Sequence, residues 1–340
     1  MINKTFSGID FKINMNDPDI KLLQLTDIQI IDSSQARSKT RLRPEEQVIW
    51  RPENIYINAY HYIQEAIERT SPDIIFITGD FIYGEFDDNG TTLINFITFM
   101  DSFQIPWAPV FGNHDNESLK GVTWQCLQLT QAKYSLFKRG DTIGNSNYII
   151  GLEYNSKISQ LMYMLDSNGC RNCKDPFVQK HGGLTEEQKQ WLKQRSDTIF
   201  YNLGYKVPGI ACFHIPSKDF EDASLNAGYQ TNRDKVGNYQ TYDLSTLNIT
   251  NGDYGIKDEC VPIEKGPEYV DLFQEIGIGG VFVGHCHKMN TSIMYKGIRW
   301  TYGTKTGIYD YHNKYQIGAT VISMNLKDQS FTISPFLSKI

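Results

Sequence analysis

Apolar residues along this chain fall into short blocks, and several blocks close on a polar residue able to bind metal. The clearest reads Ile-Ile-Phe-Ile-Thr-Gly-Asp at 74–80. Four apolar residues in succession suit a strand buried on both faces. Gly79 lets the backbone turn where the strand stops. Asp80 then stands at the strand's carboxyl end, where open α/β sheets place their ligands. Alone, such a Gly-Asp is more often a plain turn. The pattern recurs, however: 22–26 leads to Asp27, 105–111 to Gly112-Asn113-His114-Asp115, and 161–165 to Asp166. Likewise 209–213 leads to His214, and 280–283 to Gly284-His285-Cys286-His287. Apolar runs that repeatedly deliver Asp, Asn or His at the same end can assemble a metal centre from segments distant in sequence.

Between these blocks the period changes. Residues 54–70 carry Ile55, Ala59, Tyr62, Ile63, Ala66 and Ile67 on one helical face, the 3.6-residue repeat of an amphipathic helix. With strands at 21–26 and 74–78 this makes a β-α-β unit, whose crossover should be right-handed. A second helix is expected at 91–103, then a strand over 105–111 carrying two prolines, and a short helix with edge strands over 117–150. Thr185-Glu186-Glu187-Gln188 matches a capping box opening a helix through Trp191 and Leu192. Residues 267–276 read as a helix, and 298–336 alternate as short strands. Two stretches lack periodicity. Residues 31–52, with Arg37, Arg41, Arg43 and Arg51 between breakers Pro44 and Pro52, read as a loop over the site. Residues 215–262, rich in Gly, Asn, Asp and Tyr, read as a functional loop or lid. There is no internal repeat and no low-complexity linker, so one domain over 1–340 is expected.

Composition narrows the class. The chain has 340 residues, 40% of them hydrophobic, and a net charge of −6, enough for a sizeable core and too acidic for a nucleic-acid surface. No run approaches the ~20 apolar residues of a membrane span. Residues 1–20 lack a signal-peptide pattern, which fits a cytoplasmic protein or a mature chain whose signal has been removed. Asn-x-Ser/Thr acceptors at Asn3, Asn89, Asn116, Asn248 and Asn290 hint at secretion. Cys170 and Cys173 form a C-x-x-C open to a disulfide reading; no second C-x-x-C completes a zinc site.

The donor set suggests phosphate-ester chemistry. Such a reaction needs neutralised phosphate oxygens and a nucleophile near neutral pH, and two metals ~3.5–4 Å apart supply both. Asp80 is the natural bridging carboxylate, His285 and His287 can serve one site across a tight Gly284 turn, Asn113 offers an amide oxygen and His214 a nitrogen. Any one strand-end His is more often structural. Four of the seven His in Gly-Asn-His-Asp, Phe-His-Ile-Pro and Gly-His-x-His contexts make a shared structural explanation improbable.

Asp27-x-Gln29, Gly79-Asp80-x-x-Tyr83, Gly112-Asn113-His114-Asp115, His214 and Gly284-His285-x-His287, in that order, resemble the five blocks of the calcineurin-like metallophosphoesterases. Gly-Asn-His-Asp-Asn-Glu-Ser at 112–118, Leu-Asp-Ser at 165–167, Phe-His-Ile-Pro at 213–216 and Val-Phe-Val-Gly-His-Cys-His-Lys-Met-Asn at 281–290 resemble the purple-acid-phosphatase-like branch of plant and fungal type. The resemblance covers nearly the whole chain. It implies a four-layer α/β/β/α sandwich of two mixed β-sheets flanked by helices. It also implies a first metal on Asp27, Asp80 and His287, and a second on Asp80, Asn113, His214 and His285. His114 would be the general acid, oriented by Asp115, and a metal-bridging hydroxide would attack a phosphomonoester. The implied metals are iron with zinc, manganese or a second iron; the implied substrate is a small-molecule or phosphoprotein phosphate ester. One departure stands out: most of the superfamily has His where this chain has Gln29. Purple acid phosphatases replace that His with a Tyr three residues after the bridging Asp, and Tyr83 is so placed. Tyr83 or the Gln29 amide oxygen therefore completes the first site, or that site is weak. A phosphodiesterase on the same ligands, and a catalytically silent interaction module, are the alternatives.

Overall fold

The chain begins with alternation rather than a run. Ile9, Phe11 and Ile13 are buried with polar residues between them, and period two marks a strand with one face on the core. These residues lie in β2 (Ile9–Met15), which pairs antiparallel with β1 (Ile2–Phe6). The expectations drawn from uninterrupted apolar runs missed both strands. This computed structural model describes residues 2–6, 8–32, 44–170, 173, 175–227, 254–257 and 266–338. Arg37, Arg41 and Arg43, the acceptors Asn3 and Asn248 as side chains, and most of the expected lid lie outside what is described.

Next come β3 (Asp19–Leu25), α1 (Pro44–Ile49), α2 (Pro52–Thr70) and β4 (Ile74–Thr78). Helix α1 corrects the expectation of a loop throughout 31–52. Pro52 opens α2, a position where its missing N–H costs nothing. After α3 (Thr91–Ser102) comes β5 (Trp107–Val110), which tolerates Pro109 because it lies at the edge of its sheet. Then follow α4 (Gly121–Gln131), β6 (Tyr148–Tyr154), β7 (Lys157–Met164) and α5 (Glu186–Leu203). The capping box of α5 forms as expected, the Thr185 side chain accepting from the Gln188 backbone N–H. Beyond β8 (Gly209–Cys212) the expected loop contains α6 (Lys218–Asn226) and β9 (Tyr254–Lys257). The chain closes with α7 (Val270–Ile276), β10 (Ile278–Val283), β11 (Met289–Tyr295), β12 (Ile298–Tyr302), β13 (Gly318–Asn325) and β14 (Phe331–Leu337).

Among the described residues the strands form two mixed sheets. One has nine strands in the order β1-β2-β6-β7-β8-β10-β12-β11-β9; the other has five, β14-β13-β3-β4-β5. The centre of each is parallel: β3, β4 and β5 in register Leu22↔Ile74 and Thr78↔Val110, and β8 with β10 through Phe282↔Cys212. Their inner faces share one core. Phe76 of β4 meets Phe282 of β10 edge-on, ring centres 5.6 Å apart, and the Tyr148 hydroxyl donates to Pro109 O at 2.7 Å. Such aromatic pairs add about 0.5–1.5 kcal/mol beyond their buried area. Ala59, Ile63, Ala66 and Ile67 of α2 cover the smaller sheet, while Trp191 and Leu192 of α5, Phe220 of α6 and Phe273 of α7 cover the larger. The architecture is thus the expected sandwich of two mixed sheets between helices. Its consequence for function is that parallel strands from both sheets stop on the same side, so their carboxyl ends face one cleft.

Candidate metal centre

Asp27, Asp80, His214 and His285 each stand two residues beyond a strand, after β3, β4, β8 and β10, and Asn113 stands three beyond β5. At this offset the backbone must turn abruptly to aim a side chain into the cleft. Asp27, Gln29, Asp80 and His285 all have positive φ, at 50°, 54°, 51° and 72°. Each such non-glycine residue costs about 1–3 kcal/mol, and the strain persists only where surroundings over-determine it. Two glycines make the approach possible. A Cβ on Gly79 would lie 2.7 Å from both the Gly112 nitrogen and His214 Nδ1, and one on Gly284 would run into Thr26 Oγ1 and Asp27 Oδ2.

The carboxylate oxygens of Asp27 and Asp80 and a ring nitrogen of His214 lie within 4.8 Å of one another. His214 Nε2 is 3.2 Å from Asp80 Oδ2, 3.1 Å from Asn113 Oδ1 and 3.3 Å from His285 Nδ1. On the other side His287 Nε2 is 3.2 Å from Asp27 Oδ1. Both histidines turn their far nitrogen to a backbone carbonyl: His214 Nδ1 to Thr78 O at 2.8 Å and His287 Nδ1 to Tyr311 O at 2.9 Å. A carbonyl can only accept, so Nδ1 carries the hydrogen and the Nε2 lone pair faces the cleft, the usual arrangement of a metal-ligating histidine.

The electrostatics agree with that donor set. Burial pushes the Asp27 carboxyl up, but the hydrogen bond and charge of His287, with His214 and Lys305, hold it well below the usual carboxylate range. Burial opposes ionisation of Asp80 too, and His214 and His114 pull it below its ordinary value. For His214 burial disfavours charge, yet Asp80 and Asp27 raise it to about 9. His285 goes the other way: burial, then the charge of His214, push it down to about 3, leaving a neutral imidazole. Lone pairs of Asp80, Asn113 and His285 thus converge on His214 Nε2, and Asp80 Oδ2 is buried with no hydrogen bond of good geometry among the described residues. A cation can accept all these lone pairs at once. The residues fit a metal.

Other candidates fall elsewhere. Asp115 does not touch the His114 ring; its carboxylate accepts backbone N–H groups from Asp80 (2.7 Å), Gly112 (2.7 Å) and Ile82 (3.0 Å), and so shapes the Asp80 turn. The ring partner of His114 is Glu117, whose Oε2 lies 2.7 Å from Nδ1. The spacing i, i+3 across the turn Asp115–Glu117 was the available signal. The His114 backbone N–H donates to Asp80 Oδ1 at 2.8 Å. Burial lowers the His114 ring's proton affinity, but Asp80 and Glu117 outweigh it and raise it to about 9. Asp166 holds the Asn145 and Asn168 N–H groups at 2.6 and 2.7 Å, a structural role. Gln29 Oε1 accepts from Lys305 Nζ at 2.8 Å, a contact no motif announced. The Tyr83 ring packs 4.4 Å from His114 and 5.4 Å from Phe86, with Trp50 edge-on at 6.3 Å. Cys170 and Cys173 are joined in a disulfide. Asn116 and Asn290 are buried, so two of the glycan acceptors are inaccessible as folded.

The family model of the calcineurin-like phosphoesterases matches residues 20–289, from the first strand of the smaller sheet through His285 and His287. The chain belongs to this family. As a calcineurin-like phosphoesterase it is similar to Phosphatase DCR2 of Saccharomyces cerevisiae, 28% identical over 172 residues, 47% of this chain and 29% of that protein. A Schizosaccharomyces pombe relative is matched over 30% of its length, so the chain spans less than a third of either yeast protein. Probable inactive purple acid phosphatase 29 of Arabidopsis thaliana is 23% identical over 317 residues, 86% of this chain and 73% of that one. Among solved structures, a dimetal phosphatase from Danio rerio superposes with a TM-score of 0.51 at 12% identity, over 89% of this chain and 92% of that chain, which shows a shared fold. Among the described residues no helix is long and apolar enough to cross a membrane.

Proposed function

We propose that this calcineurin-like phosphoesterase hydrolyses phosphomonoesters at a two-cation centre bridged by Asp80. The observation that carries the reading is the convergence on buried Asp80 of donors from both sheets: Asn113 and His214 on one side, Asp27 on the other. Asp27, Asp80 and His287 would hold the first cation, and Asp80, Asn113, His214 and His285 the second. When bound, two cations neutralise phosphate oxygens and lower the pKa of a bound water. The set of nitrogen and oxygen donors suits iron paired with zinc, manganese or a second iron.

His114 supports the hydrolytic reading. Its backbone is tied to Asp80 and its Nδ1 to Glu117, which leaves Nε2 to hold a proton for the departing oxygen. Its side chain is partly exposed, so the leaving group can be as small as an alcohol or as large as a phosphoprotein side chain. The relatives named as phosphatases favour a monoester; those named inactive make turnover the quantity to measure. Comparing hydrolysis of p-nitrophenyl phosphate with that of its bis ester, alongside metal content, tests the proposal. Faster monoester cleavage with about two metals per chain is expected. Preference for the bis ester would make the chain a phosphodiesterase, and two metals without turnover would make it a silent binding module.

A further inference from the structure

The two cation positions differ in what lies behind their ligands. Around His214 Nε2, Asp80, Asn113 and His285 present donor atoms at 3.1–3.3 Å. On the Asp27 turn stands Gln29, whose side-chain oxygen is occupied. Lys305, only 1% exposed, donates to Gln29 Oε1 at 2.8 Å and to the Asp27 carbonyl at 2.7 Å. An ammonium has three donors and no acceptor, so Gln29 must meet it through oxygen. The other end of the amide is then NH2, which has no lone pair to offer a cation. Gln29 Nε2 is accordingly buried with no hydrogen-bond partner among the described residues.

Lys305 cannot easily swing away. The segment around it runs beside the Asp27 turn, with Thr306 N donating to Thr26 O at 2.9 Å and Gly307 N to Asp27 O at 3.3 Å. Thr304 N is held by Thr320 Oγ1 at 2.9 Å, and Gly318 N donates to Lys305 O at 2.9 Å. A fixed, buried positive charge therefore sits behind the Asp27 position, offset in part by the Asp310 carboxylate, and it repels an arriving cation.

We infer that Lys305, by occupying the Gln29 oxygen and placing a fixed charge beside Asp27, makes the two cation positions unequal. The Asp80–Asn113–His214–His285 position holds a resident cation, and the Asp27–His287 position an exchangeable one. The inference rests on the two-cation reading above. It makes turnover depend on the supply of free metal, and it makes Lys305 and Gln29 positioning residues rather than ligands.

The test is Mn2+ titration of the chelator-stripped full chain, read by the magnetic-resonance signal of the free ion. One Mn2+ per chain should bind at least about tenfold more tightly than a second, the scale on which residues behind the ligands act. Gln29→His supplies an imidazole lone pair and should strengthen only the weaker step, by about 10–100-fold. Lys305→Met should also strengthen the weaker step, with thermal unfolding followed to show that the variant folds. If Lys305→Met does not fold, Gln29→His decides alone. Two equally tight Mn2+ ions in the parent protein, or a Gln29→His variant with both steps unchanged, would overturn the inference while leaving the two-cation reading in place. Failure to bind any Mn2+ would overturn both.

Discussion

The two halves of the cleft use the same residue types and differ in what supports them. In the His214 half, neighbours outside the donor set reinforce it. Thr78 O fixes the ring, His114 N–H and the Asp115 carboxylate fix Asp80, and all the donor atoms face one another. In the Asp27 half, Tyr311 O fixes His287 in the same way, but Lys305 draws Gln29 aside and adds its own charge. A ligand list alone would call the halves near-equivalent. The difference lies in the contact between Lys305 and Gln29, and it predicts that substitutions will separate the halves unequally.

The largest effect is expected where the halves meet. Asp80→Asn removes the shared charge and one of its shared lone pairs, so turnover should fall by several orders of magnitude and both metals be depleted. Retention of two metals with near-normal turnover would remove the bridge and with it the comparison. Next is His114→Ala, which keeps the backbone N–H on Asp80 and removes only the ring. It should leave metal content unchanged while slowing esters with poor leaving groups by ~10²–10⁴, activated aryl phosphates being spared. Equal loss on both substrate types would mean that the ring positions substrate instead.

Glu117→Gln should follow the same leaving-group pattern at smaller scale. A hydrogen bond to a charged group is worth about 1.5–3 kcal/mol, hence a loss of about 10–100-fold. A metal loss on this substitution would tie Glu117 to the His214 half and not to the acid. Tyr83→Phe is the mildest change. With its ring packed among Trp50, Phe86 and His114, loss of the hydroxyl should leave both metals in place. The sharpening outcome is optical: a visible band in protein purified in air, bleached by Tyr83→Phe, would put a phenolate on iron in the Asp27 half and restore the balance between the halves.

Legibility in the sequence followed the locality of the signal. Asp27, Asp80, His214 and His285 could be found because each ends an apolar run, and a run is a local pattern. The α5 capping box was legible for the same reason. Strands β1 and β2 carried only period-two alternation with polar residues between, a weaker mark that uninterrupted runs overshadow. Asp115 and Glu117 show the limit at short range. Both are acidic and close to His114, and which of them meets the ring depends on the path of a single turn, which draws Asp115 inward to three backbone N–H groups and leaves Glu117 beside Nδ1.

What the sequence determined by itself is the chemistry available: carboxylates, imidazoles and an amide, each at the end of a strand, in an order that places the chain in its family. What only the tertiary structure decided is which lone pairs are spent before a cation arrives. Lys305 and Gln29 are 276 residues apart, and Asn113 and His214 are 101 apart. A residue's type fixes whether an atom donates or accepts. Whether that atom faces a metal or an ammonium turns on ångström-scale placement of segments carried by two different sheets, and that placement comes from the packing of their shared core.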